Sequence, residues 1–420
     1  MDRKNWGDPF KFLLPARGLF MLILVMILLG AACSAPVTGL LTEPSPPQPA
    51  QVPAASREPD RSPTQPPTLA PTSTRAASGD TGLSSRLPTA LPRTPSPAAA
   101  FNCGFNPGTD ALLDQMTAET WMDWVEKLSG AQPVTIGGEE TVITTRYSPA
   151  MFSGQQNARA FEFVLEQVQG WYPEDQIEAM PFKVEGPDGV PATWKNLILT
   201  LPGQGRPEEM VLLTAHLDST SSDDPEQLAP GAEDNASGSA TLLEAARLFS
   251  NQKFDRTIKI IWFTGEEQGL FGSQAYAKTV KDPSKILGVI NLDMFGYDSD
   301  QDRCFELHVG TLTESDHVGQ CFVSAIEAYD LGLDEYDYLR GQAIGASDHS
   351  SFWEIDVGAI EVLENMFDHD LPEPSACDNG DHNPHYHSPE DTADRLNPES
   401  ALRIARAALA AAAGIAVPID

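Results

Sequence analysis

Several strand-like apolar runs in this chain each stop on a short cluster of His, Asp or Glu, and no other feature constrains the fold as strongly. Val211 to Ala215 ends in His216 and Asp218. Ile258 to Phe263 runs into Glu266 and Glu267, and Val289 to Leu292 ends on Asp293. A further cluster, Glu233, Asp234 and Asn235, sits in a Gly231–Gly238 loop ahead of a helical pattern, and His385, Tyr386 and His387 lie in a late Pro-bounded loop. Continuous apolar strands separated by helical patterns predict an α/β fold: a mostly parallel, mixed central sheet with helices on both faces. Sites in such sheets form beyond the carboxyl ends of the strands.

The expected elements follow from periodicity. Helices are expected over Ala111–Leu128, Asn157–Trp171, Ala236–Phe249, Leu270–Val280, Ser315–Tyr329 and Asp394–Ala413. Strands are expected over Asn196–Leu201, Met210–Ala215, Thr257–Phe263, Ile286–Leu292, Cys304–Val309 and Val357–Leu363. All of these fall within residues 101–420, the expected folded domain.

Ahead of that domain the chain changes character. Arg3, Lys4, Lys11 and Arg17 precede an apolar run from Leu19 to Ala32 that is short for a membrane span and fits a signal-peptide core. The run ends on small residues before Cys33, so residues 1–33 resemble a lipoprotein signal, with Cys33 the acylated residue. Residues 34–100 are rich in Pro, Ser, Thr and Ala and bury too little to offset their ordering entropy, which predicts a disordered spacer. The expectation is an exported protein tethered to a membrane and facing outward. An uncleaved anchor and ordinary secretion are the alternatives. With 27 Lys and Arg against 60 Asp and Glu, the net charge of −33 excludes nucleic acid as a partner, since counterion release needs a basic surface. Four further cysteines, Cys103, Cys304, Cys321 and Cys377, are compatible with two disulfides in any of three pairings, and none lies in a C-x-x-C pattern.

Each polar cluster has an ordinary reading. His216 is also a hydrogen-bonded loop histidine, Asp234 a helix cap, Asp293 a cap of the next element, and Glu266 with Glu267 a solvated acidic turn. Together they read differently. Two histidines and three carboxylates without thiolate suit two hard-to-borderline cations: Zn²⁺, with Mn²⁺ or Co²⁺ as substitutes. Asp218 is placed to accept the other ring N–H of His216. Of Glu266 and Glu267, one can bind metal while its neighbour points at a bound water as general base. His349 follows Ser347 and Asp348, but the chain has no G-x-S-x-G elbow. Met294, Phe295 and Phe367 are candidate pocket residues, with core packing an equal account of each.

The runs His216–Ser219, Glu233–Gly238, Thr264–Ser273, Asn291–Met294 and Tyr386–Thr392, in that order, resemble the M28 family of co-catalytic zinc aminopeptidases. The resemblance covers about Arg146 to the C-terminus. It implies a zinc exopeptidase-like fold in which Asp234 bridges two zinc ions and precedes a cis peptide. His216 and Asp293 would hold one ion, Glu267 and His387 the other. Glu266 takes the place of the general base, Tyr386 that of a carbonyl-polarising tyrosine, and Asp218 that of the acid behind the first histidine. The expected substrates are peptides with a free N-terminus. Gln342 and Ala346 stand where some members carry cysteines, so the loop before Ser347 departs from that pattern. Carboxypeptidase activity, a glutaminyl-cyclase-like acyl transfer and a catalytically inactive binding ectodomain are the competing readings.

Overall fold

The apolar runs become neighbouring strands of one sheet. The computed structural model describes residues 101–149, 156–185, 191–367, 369, 377 and 380–419. The expected signal segment with Cys33 and the spacer at 34–100 lie outside the described residues. The strands are β3 (Ile177–Glu185), β4 (Pro191–Leu201), β5 (Arg206–His216), β6 (Arg256–Phe263), β7 (Ile286–Leu292), β8 (Phe305–His308), β9 (Asp337–Leu339) and β10 (Ala359–Glu364). They pair in the order β3-β4-β6-β5-β7-β10-β8-β9. The central four, β6, β5, β7 and β10, are mutually parallel, while β3, β4 and β8 join antiparallel. A separate hairpin pairs β1 (Val134–Ile136) with β2 (Glu139–Thr141).

The helices are α1 (Pro107–Leu113), α2 (Ala118–Leu128), α3 (Gln156–Trp171), α4 (Ser237–Phe249), α5 (Phe271–Ala277), α6 (Thr313–Ala328), α7 (Ser350–Trp353) and α8 (Pro398–Ala416). One hydrophobic cluster unites α2, α4, α6 and α8 with one face of the sheet, through Trp121, Trp262, Phe305, Phe322 and the alanines of α8. A smaller cluster, with Trp194, Phe263, Tyr276 and Phe352, fills the other face under α5 and α7.

Several boundaries differ from the sequence reading. The single helix expected over Ala111–Leu128 is two. Asn106 caps α1, and Thr117 starts α2 with a reciprocal cap in which Thr117 and Thr120 each accept the other's backbone N–H. The closing helix is a 3₁₀ turn at Ala393–Arg395 followed by α8, which opens on Pro398 behind an Asn397 cap. The helix at Leu270–Val280 shortens to α5. Strand β3 was not expected. Pro181 interrupts its pattern, and the edge position accommodates a residue that cannot donate to a ladder. The cysteines pair as Cys103–Cys321 and Cys304–Cys377.

Candidate metal centre

Strand ends bring the acids and imidazoles together. His216 is the last residue of β5, Asp293 follows β7, and Glu266 and Glu267 follow β6. Since β5, β6 and β7 are parallel neighbours, all four residues emerge at one edge. Asp234 reaches the same place from the turn ahead of α4. Its side chain is buried, and its peptide to Asn235 is cis. Asn235 fastens that turn to the sheet: its Nδ2 donates to Leu292 O at 2.8 Å, one residue before Asp293, while its Oδ1 accepts the N–H of Gly238 at 2.8 Å.

The two oxygens of Asp234 face two histidines. His216 Nε2 lies 3.2 Å from Asp234 Oδ1 and 3.1 Å from Asp293 Oδ1. His387 Nε2 lies 3.0 Å from Asp234 Oδ2 and 3.0 Å from Glu267 Oε2. Hence His216, Asp234 and Asp293 form one group of converging ligand atoms, and Asp234, Glu267 and His387 form another. Ligands held about 2.0 Å from one tetrahedral zinc stand about 3.3 Å from each other, close to these separations. The charge balance points the same way. Burial pulls His216 down, but Asp293, Glu266 and Asp234 together carry it well above its usual value. His387 is likewise pulled down by burial and raised on balance to about 10 by Asp234 and Glu267. Burial, with Asp234 beside it, lifts Glu267 to about 8, and Glu267 Oε1 is buried without a hydrogen bond. The carboxylates around each imidazole favour a positive charge there, and the donor set of each group fits a metal ion such as zinc.

Glu266 stands beside this set, its Oε2 4.0 Å from His216 Nε2. Burial raises its pKa well above the usual range, against a pull from His216. The expected partnership of the Asp218 carboxylate with the His216 ring takes another form. His216 Nδ1 meets the backbone carbonyl of Asp218 at 3.0 Å, and the carboxylate stands 3.8 Å from that nitrogen. Asp218 Oδ1 instead accepts the N–H groups of Gly265 at 2.9 Å and Glu266 at 3.3 Å. It ties the end of β5 to the turn that aims Glu266. Tyr386 is 40% exposed and stacks on His387 with ring centroids 3.7 Å apart, at the rim of the site. His385 belongs to neither ligand group.

Of the three candidate pocket residues, Phe295 is a core side chain, 1% exposed and packed against Trp121. Met294 is buried yet outside both hydrophobic clusters, next to Asp293. Phe367 is half-buried after β10, its N–H donating to Glu306 Oε1 at 2.6 Å.

Residues that sequence reasoning left without a role hold the ligands. Ser347 Oγ donates to Asp293 Oδ2 at 2.5 Å and accepts from Asn291 Nδ2 at 2.9 Å. Asp391 accepts the backbone N–H groups of Glu233 at 3.0 Å and Asp234 at 3.1 Å. Burial lifts Asp391 to about 6 against the pull of those N–H groups. The sequence signal for Asp391 was its place in the Tyr386–Thr392 run, which gave it no role.

Residues 196–412 match the description of Peptidase family M28. The chain belongs to that family. Among M28-related proteins, a probable leucine aminopeptidase of Arthroderma otae is 32% identical over 267 residues, 61% of this chain and 66% of the relative. The chain therefore spans just under two thirds of that protein. Aminopeptidase YwaD of Bacillus subtilis is 30% identical over 211 residues, 49% of this chain and 41% of that protein. The LapA aminopeptidase of Legionella pneumophila superposes with a TM-score of 0.55 at 23% identity, covering 74% of this chain and 73% of the other. A glutaminyl cyclase of Porphyromonas gingivalis gives a TM-score of 0.50 at 18% identity, over 70% of this chain and 96% of that one. At such identities the two structures speak of the shared fold and of nothing finer.

Proposed function

We propose that this chain is a zinc-dependent aminopeptidase that removes residues from peptides with a free N-terminus. The observation that carries the reading is the shared Asp234, on whose two oxygens the His216–Asp293 and Glu267–His387 pairs converge, with Glu266 alongside. The relatives named as aminopeptidases support the reaction class. His216 and Asp293 would hold one zinc, Glu267 and His387 the other, with Asp234 between them. Bound zinc supplies Lewis acidity, which acidifies a water and polarises the scissile carbonyl. Glu266 takes the proton of the attacking water and returns it to the leaving amine. Tyr386 donates from the rim to the developing oxyanion. The free α-amine docks on the Glu267–His387 side, which selects an exopeptidase.

Metal analysis combined with a panel of aminoacyl chromogenic substrates and their N-acetylated counterparts tests this. The expected result is two zinc ions per chain and cleavage of free but not blocked substrates. Equal cleavage of blocked peptides, or glutamine cyclisation in place of hydrolysis, would replace the reading. We further propose that residues 1–33 are a lipoprotein signal and that the mature domain faces outward from a membrane on the 34–100 spacer. The basic start, the short apolar core and the small residues before Cys33 support it.

A further inference from the structure

Among the described residues, Arg146 and Arg256 are the bulkiest charged side chains buried completely. A buried guanidinium ordinarily meets a carboxylate. Arg256 does so, its Nε donating to Glu209 Oε2 at 2.8 Å. Arg146 spends every described bond of its guanidinium on backbone carbonyls. Nε donates to Leu217 O at 2.8 Å, and Nη1 to Leu128 O at 2.8 Å and Pro230 O at 2.6 Å. Nη2 donates to Gly231 O at 2.8 Å.

These carbonyls belong to three segments. Leu217 lies between His216 and Asp218. Pro230 and Gly231 open the turn that presents Asp234. Leu128 ends α2. One planar fork therefore spans the gap between the strand end that carries His216 and the turn that carries Asp234, and its rigidity fixes that gap. Gly231 makes the approach possible: a Cβ there would stand 3.0 Å from Arg146 Nη2 and 2.2 Å from Asp234 O. The backbone of Arg146 is itself held. Its N–H donates to Ser219 Oγ at 3.2 Å, and its carbonyl accepts the Ser219 N–H at 3.3 Å and Asn157 Nδ2. Ser219 Oγ donates onward to Ala229 O at 2.8 Å, a second tie between the same two segments.

We propose that Arg146 is a positioning residue of the metal centre, setting the separation of His216 and Asp234 and with it the affinity for zinc. This rests on the dinuclear reading above. Arg146→Lys retains the charge, but its amine cannot span four carbonyls in one plane. The full chain and this variant are compared by zinc competition against a chelator, by thermal unfolding of the chelated form, and by steady-state hydrolysis. The expected result is a folded variant that binds zinc ~10–100-fold more weakly, the range for residues that orient ligands. At saturating zinc, kcat falls more than KM changes. A purely structural role would lower the unfolding temperature of the chelated form and leave zinc affinity intact, and that outcome overturns the proposal. If Arg146→Lys does not fold, Ser219→Ala decides: several-fold weaker zinc is expected, and unchanged affinity overturns the proposal. Zinc competition does not depend on peptide hydrolysis. A wild-type chain that binds two zinc ions and cleaves no peptide defeats the aminopeptidase reading and leaves this one standing.

Discussion

Acidification from pH 7.5 to 5 should cost this domain stability through one imidazole, that of His349. The ring is fully buried, packs edge-on against Trp353 at 4.4 Å and bonds through Nε2 to Ile344 O at 2.9 Å. Among the described residues its Nδ1 has only Glu361 Oε2 within reach, at 3.5 Å, and burial keeps that carboxyl protonated far above its usual range. No negative charge pairs with the ring, and burial pulls its pKa from 6.5 to about 3. The sign follows from which state binds the proton. The unfolded imidazole takes up a proton as pH falls through its ordinary value, while the folded one stays neutral. The stability is complete above that value and is lost as pH falls towards the folded pKa. The loss between the two pH values is RT ln(1 + 10^1.5), or about 2 kcal/mol. Urea unfolding of the chelated wild type and of His349→Gln, at both pH values, reads it. The wild type should lose about 2 kcal/mol more than the variant, because titrations common to both cancel, including that of Asp348, lifted by burial to about 7. Parallel losses at equal m-values would refute the assignment.

Glu266→Gln should retain both metals and lose ~10²–10⁴-fold in kcat, the usual contribution of a general base; wild-type turnover in the metal-replete variant sinks that role. Asp234→Ala should lower metal content more than any other single ligand change, since it alone touches both ligand groups; two tightly held zinc ions in that variant would count against it. Converting Cys304 and Cys377 together to serine opens a link with a sequence separation of 73 and should cost about 4 kcal/mol of stability, read by thermal unfolding; an unchanged midpoint would contradict it. Cys33→Ser should abolish lipid attachment, and intact-mass analysis of the native protein showing an unmodified start downstream of Cys33 would exclude the anchor.

The candidate metal ligands were legible because each carries its own chemistry, and His216, Glu267 and Asp293 sit where an apolar strand stops, while Asp234 and His387 come from loops. Val211 to Leu213 and Val289 to Leu292 are buried on both faces of the sheet, and such strands leave an unmistakable apolar run. The residues that hold the ligands were not legible. Arg146 and Asp391 act on backbone N–H and carbonyl groups of distant segments, and a backbone group leaves no mark in a side-chain pattern; Asp218 was expected, but on the His216 ring rather than under the turn that carries Glu266. Phe295 looked like a pocket residue because it follows Asp293, yet Trp121 of a helix far upstream covers it. Strand β3 was hidden by Pro181, and the break between α1 and α2 by a pair of threonines in place of the usual Thr and Glu.

The Cys103–Cys321 link has a mechanical consequence. Asn102 N–H bonds to Gly414 O of α8 at 3.0 Å, and the next residue is bonded covalently to α6. A pull on the chain ahead of residue 102 therefore runs through sulfur into the long helices behind the sheet. Helices α1 and α2 lie beyond that anchor, so the pull reaches α6 and α8 before it reaches Trp121. A domain fastened in this way meets a pull first on α6 and α8, the helices packed across β7 and β5, rather than on the segments that open its fold.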